Sequence, residues 1–109
     1  MASIGTVTRK SDNSYEGNLT TATLRTPIKL VPIDNGGNDN RPTHRVIASK
    51  TGFEMGAAWN KTSRDTGADY TSVKIDAPEL DSVLYANLGK AAGSDPAAGE
   101  YALIWNRRS

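Results

Sequence analysis

Apolar and polar positions alternate along most of the chain. The alternation comes in short runs rich in Thr, Val, Ile and aromatic residues, set between clusters of Gly, Asn, Asp, Ser and Pro. Period two is the signature of a pleated strand, whose successive side chains point to opposite faces. It predicts strands at 3–10 (SIGTVTRK), 15–25 (YEGNLTTATLR), 27–33 (PIKLVPI), 43–49 (THRVIAS), 53–60 (FEMGAAWN), 70–76 (YTSVKID) and 100–107 (EYALIWNR). In the fifth, Phe53, Met55, Ala57 and Trp59 fall on one face, and Gly56 and Ala58 leave the other face small. In the last, Tyr101, Leu103 and Trp105 share a side. Gly17 marks a bulge or a close approach of two backbones. Pro27 and Pro32 have no N–H to give a ladder, so they point to a sheet edge or to strand ends.

The segment 77–90 (APELDSVLYANLGK) reads two ways. Pro78 with Leu80, Val83, Leu84 and Leu88 fits a short amphipathic helix. Val83, Tyr85 and Asn87 alternating with Leu84, Ala86 and Leu88 fit a strand, which is the preferred reading. SDNS at 11–14 is a turn, because Asp and Asn side chains bond nearby backbone and tolerate left-handed conformations. DNGGNDNRP (34–42) and AAGSDPAAG (91–99) read as loops. The expected fold is all-β: one small antiparallel β-barrel or β-sandwich of about seven to eight short strands, with an OB-like barrel among the forms considered. At most one short helix is expected, near 77–88, and hairpins should join neighbouring strands.

The 109 residues suffice for one domain, 1–109, and one core. So small a domain buries a limited share of its surface, which makes a homodimer an expected way to cover apolar faces. The absence of cysteine removes disulfides, thiol nucleophiles and cysteine-ligated metal sites. A net charge of +1 gives no bulk attraction to polyanions, although the first half is slightly basic and the second slightly acidic. No apolar run approaches the ~20 residues that span a bilayer, and MASIGTVTRK lacks the apolar core of a signal peptide. A cytoplasmic location is expected.

Catalytic chemistry finds little support. A Ser–His–acid arrangement would have to use His44, the single histidine, which lies inside a predicted strand beside Arg45. No G-x-S-x-G elbow, phosphate-binding glycine loop or G-x-G-x-x-G occurs. DNGGNDN lacks the ligand alternation and terminal glutamate of a calcium loop. Neighbouring carboxylates such as Asp65 and Asp69 fit solvated turns. No enzyme, cofactor or metal is expected.

Nucleic-acid binding fits better. Single-strand binders pair an exposed aromatic ring, on which a base stacks, with a cation that meets the phosphate. Tyr70, Ser72 and Lys74 share a strand face, and Lys61 and Arg64 lie in the turn before it. Trp59 either stacks or lies buried beneath. The competing reading is that the lysines and Arg64 only solubilise the sheet while Trp59 anchors the core.

Several stretches together resemble one family. They are IGTVT, YEGNLTTATL, RPTHRV, GAAWNKTSRDTGADYTSVKIDAP, VLYANL and LIWNR, in this order over nearly the whole chain. The family is the domain-of-unknown-function family numbered seven-three-six. Loop 34–40 and segment 89–99 depart from its pattern, and His44 stands where an aromatic residue is expected. The resemblance implies a small alphaproteobacterial protein, often encoded on plasmids and integrative elements near transfer or replication genes. It transfers no catalytic residues. The expected function is therefore a non-enzymatic module of plasmid or mobile-element biology that binds DNA or a DNA-transfer protein through Lys61, Arg64, Tyr70, Lys74 and Trp59. The alternative is a homo-oligomeric structural or protein-interaction module whose strand faces and sheet edges pair two copies.

Overall fold

The computed structural model describes residues 2–34, 36–38, 40–62, 65–67, 69–80, 82–89 and 99–105. Eight strands follow one another: β1 (Ala2–Arg9), β2 (Tyr15–Thr20), β3 (Arg25–Pro32), β4 (His44–Ala48), β5 (Glu54–Thr62), β6 (Asp69–Ile75), β7 (Leu84–Gly89) and β8 (Glu100–Trp105). Each pairs antiparallel with the next, and β8 returns to pair with β1, closing a barrel. Val7 lies opposite Tyr101 at that seam. The all-β expectation holds, as a barrel and not a sandwich. An uninterrupted run of neighbour pairings is an up-and-down barrel, without the Greek-key crossover of an OB fold.

Two devices curve the sheet enough to close. The first is the bulge. β1 shifts register against β8 between Ser3 and Thr6, and β5 shifts against β4 where Val46 faces Gly56 and Ile47 faces Glu54. An extra residue on one strand bends it and sharpens its twist. Each bulge sets two consecutive residues on the inner face, Ile4 with Gly5 in β1 and Met55 with Gly56 in β5, before alternation resumes at the buried Val7 and Ala58. The second device is glycine at inward positions. A Cβ at Gly17 would run into the Thr6 carbonyl, and one at Gly56 into the Lys74 carbonyl. The close approach read at Gly17 is therefore real, and Gly56 adds another.

The β5 bulge overturns the simple alternation expected at 53–60. Met55 points inward, but Ala57 and Trp59 lie on the outer face, and Phe53, ahead of the strand, is 48% exposed. Closure decides between the two readings of the prolines. β3 has a neighbour on both sides, so neither marks an edge. Pro27 precedes the first β3–β4 pair, Ile28 with Ala48, and Pro32 ends the strand. The long second strand expected at 15–25 breaks at a turn, where Thr21 N–H donates to the Leu24 carbonyl, and Arg25 opens β3. Among the described residues no helix occurs: a turn closed by Leu80 N–H to the Ala77 carbonyl stands at the start of 77–88, and β7 follows. Residues 106–107 of the expected last strand and 91–98 of the expected loop lie outside the described residues.

The core fills the barrel. Leu19, Ile28, Leu30, Val46, Met55, Val73, Ile75 and Leu103 are all but fully buried there. Each such side chain contributes about 1.5–3 kcal/mol relative to exposure. His44 is the one buried polar residue among those described, at 1% exposed. It sits near one end of the barrel, hereafter the mouth, which is framed by the β1–β2 turn, the β5–β6 hairpin and the start of β8.

Candidate nucleic-acid interface and barrel mouth

The β5–β6 register brings the sequence-predicted residues together on the outer wall. Lys61 pairs with Tyr70, Trp59 with Ser72 and Ala57 with Lys74. Directly opposite residues share a face, and diagonal neighbours lie within reach of long side chains. Trp59, Lys61, Tyr70 and Lys74 thus form one patch. Lys61 stands on the strand itself and not in the turn, because β5 runs on through Thr62. Arg64 lies outside the described residues. Tyr70 is 38% exposed, Lys61 is exposed, and Lys74 and Trp59 are half-buried.

Trp59 is neither fully stacked in the core nor free. Its Nε1–H donates to the Asn40 carbonyl at 3.3 Å, tying the outer wall to the β3–β4 loop. That loop is held by its own short side chains: Asp34 accepts from Gly36 N–H, and Asn38 from Asn40 N–H. The turn chemistry read in DNGGNDNRP is the local cause. Sequence reasoning missed Tyr85, which pairs with Lys74 from β7 and extends the patch. Only the cross-strand register reveals it. Arg45 borders the patch opposite Ala57 and forms an ion pair with Glu54 at 3.4 Å. Both side chains are more than half exposed, so the pair adds little stability. Among the described residues, Lys61 and Lys74 have no ion-pair partner.

The mouth is a separate cavity of about 380 Å³ that Lys61 and Tyr70 help to line from the rim. Its floor is aromatic. Tyr15 packs edge-on against His44 and against Tyr101, with ring centroids 5.5 and 6.0 Å apart. Its wall is polar, because inward positions at the ends of β5 and β6 carry Asn60, Thr62, Asp69 and Thr71. The Thr71 hydroxyl donates to Asn60 Oδ1 at 3.0 Å, and the Thr62 hydroxyl to Asp69 Oδ1 at 2.9 Å. Arg9 pairs with Tyr15 at the end of β1 and also lines the cavity.

His44 braces this end from below. Its Nε2 lies 3.0 Å from the Asn13 carbonyl, which can only accept, so Nε2 carries a proton. Nδ1 lies 3.0 Å from the Thr43 hydroxyl oxygen, which itself lies within 3.3 Å of the Ala58 carbonyl. Among the described residues no carboxylate bonds the imidazole. The Asn13 turn is set by Asp12, whose carboxylate accepts from both the hydroxyl and the N–H of Ser14, at 2.6 and 3.0 Å. These bonds, the hydroxyl's first, hold the Asp12 carboxyl below its ordinary value. Asn13 takes a left-handed φ of 69°, as an Asn in a turn tolerates. Among the described residues no three His, Asp or Glu side chains converge as a metal site would require.

The chain matches the model of the DUF736 family, described as a protein of unknown function, over residues 3–108. Comparison with curated proteins gives no match. Comparison with solved structures gives none either. The chain belongs to the DUF736 family.

Proposed function

We propose that this DUF736 protein is a non-enzymatic module that binds nucleic acid through the outer wall of β5 and β6, in the handling of plasmid or other mobile DNA. One observation supports this most: the register gathers Trp59, Lys61, Tyr70 and Lys74 into one patch in which both lysines lack an ion-pair partner among the described residues. Aromatic faces take unstacked bases, and free ammonium groups take phosphates. Titration of labelled single- and double-stranded DNA tests it. Affinity falls as salt rises, and replacing Lys61 and Lys74 by Gln together weakens binding and lowers the log–log salt slope by about 1.5–2. In a Trp105→Phe variant, the remaining indole of Trp59 is quenched by bound strand. No salt-sensitive binding at micromolar protein sinks the proposal.

A second reading, self-association of two copies, is favoured by the opposite end of the barrel. Phe53 is 48% exposed there, beside an apolar hollow of about 540 Å³ that Leu24, Met55 and Pro78 also line. Light scattering distinguishes the two: a dimer that Phe53→Ser converts to a monomer supports self-association, and a monomer at working concentration counts against it.

A further inference from the structure

We infer that the barrel mouth is a second binding site, shaped for a single nucleotide unit, either free or at the end of a strand. Tyr15 carries the argument. It is only 6% exposed, yet among the described residues its hydroxyl has no hydrogen-bond partner. Among the described residues no buried side-chain oxygen or nitrogen is both shut from solvent and unpaired, so this hydroxyl opens onto the cavity its ring lines. A buried phenol keeps its polar tip where something outside the chain can meet it.

The groups around it sort by chemistry. Asn60 uses its Oδ1 on Thr71, which leaves its amide N–H groups to donate. Asp69 uses one oxygen on Thr62, which leaves the other to accept. A fixed donor and a fixed acceptor on one wall match the polar edge of a nucleobase. Arg9 and Lys61 line the same cavity without an ion-pair partner among the described residues, and cations left open together match a phosphate. Tyr15 and Tyr101 supply an aromatic floor. The volume of about 380 Å³ falls in the range of small-ligand sites, and the mouth of a β-barrel is a common place for one. A neutral sugar would use the amide and carboxylate and leave both cations unanswered. Inorganic phosphate would answer the cations and leave the tyrosine, the amide and the carboxylate idle. A nucleotide uses all of them.

The site does not rest on the outer-wall reading: the two share Lys61 and Tyr70, while Arg9, Tyr15, Asn60 and Asp69 belong to the mouth alone. The test is an NMR titration of the intact chain with AMP, GMP, CMP and UMP, with the matching nucleosides, and with short single strands with and without a 5′ phosphate. At least one phosphorylated species saturates below about 1 mM and shifts the amides of Arg9, Tyr15, Asn60 and Asp69. Removing the phosphate, or changing Arg9→Gln, weakens it by about tenfold or more. Tyr15→Phe weakens it by about three- to tenfold and leaves the melting temperature unchanged, because the hydroxyl has no partner within the described chain to lose. Saturation by free nucleotides identifies a free ligand; saturation by the phosphorylated strand alone identifies a strand end. Either supports the site. No saturation by any phosphorylated species, shifts confined to the outer wall, or affinity untouched by both variants overturns it. Labelled-strand binding measured on the same variants scores the wall separately.

Discussion

His44 and Asp12 show how single side chains fix the mouth. The imidazole of His44 joins its chain neighbour Thr43 to Asn13 and the ring of Tyr15, which lie at the β1–β2 turn and the start of β2. Replacing His44 by Ala removes two hydrogen bonds and opens a cavity at a fully buried site. The expected loss is about 2–4 kcal/mol in urea unfolding. Asp12 acts through charge instead. Its folded carboxyl lies below the ordinary value of 3.8, so the folded turn favours the ionised form. The stabilisation it contributes is fully present above that ordinary value and disappears as pH falls through the lowered folded value. The melting-temperature difference between the protein and Asp12→Ala should therefore be constant near neutral pH and shrink in acid. A difference that grows in acid would refute the assignment. The turn at Asp12 was legible, because its side-chain chemistry is local. The burial of His44 was not, since a single histidine in an alternating strand fits either face until the register is known.

At the scale of the strands, alternation located every element and failed where a strand bulges. Residues 53–60 read as one face of Phe53, Met55, Ala57 and Trp59, but the extra residue opposite Val46 and Ile47 turns the phase of β5. A bulge is set by pairing across strands, which period two cannot register. The same pairing assembled the wall patch. Tyr70 and Lys74 were legible as one face of β6, whereas the contribution of Tyr85 depends on which strand lies next. Gly56 tests the local geometry. Adding a methyl group there pushes it into the Lys74 carbonyl, so the strands must part. Gly56→Ala should cost at least about 2 kcal/mol by denaturant midpoint. A neutral result would mean that β5 and β6 separate there without loss.

At the scale of the molecule, the all-β class was legible and the choice between sandwich and barrel was not. Neighbour pairings serve both, and only the bond between the two outermost strands decides. With β1 and β8 joined, no strand edge remains among the eight for a partner strand to extend. Any partner must therefore meet side chains on the wall or at an end. Charged Glu16, Lys29 and Arg45 face outward while aliphatic side chains fill the inside.

The seam between β1 and β8 also sets an order of assembly. Seven of the eight pairings join strands adjacent in sequence, whereas the eighth brings Ala2 to Trp105. Loop closure makes a pairing of such separation slow unless the intervening hairpins have already shortened the search. The seam should therefore zip after the rate-limiting step, on a curved sheet already formed. Val7→Ala, at the seam, should then mainly speed unfolding, and Val73→Ala, in the β5–β6 hairpin, should mainly slow refolding. Stopped-flow chevrons of the two variants would reveal it, and equal effects on both limbs would mean that the ring forms all at once.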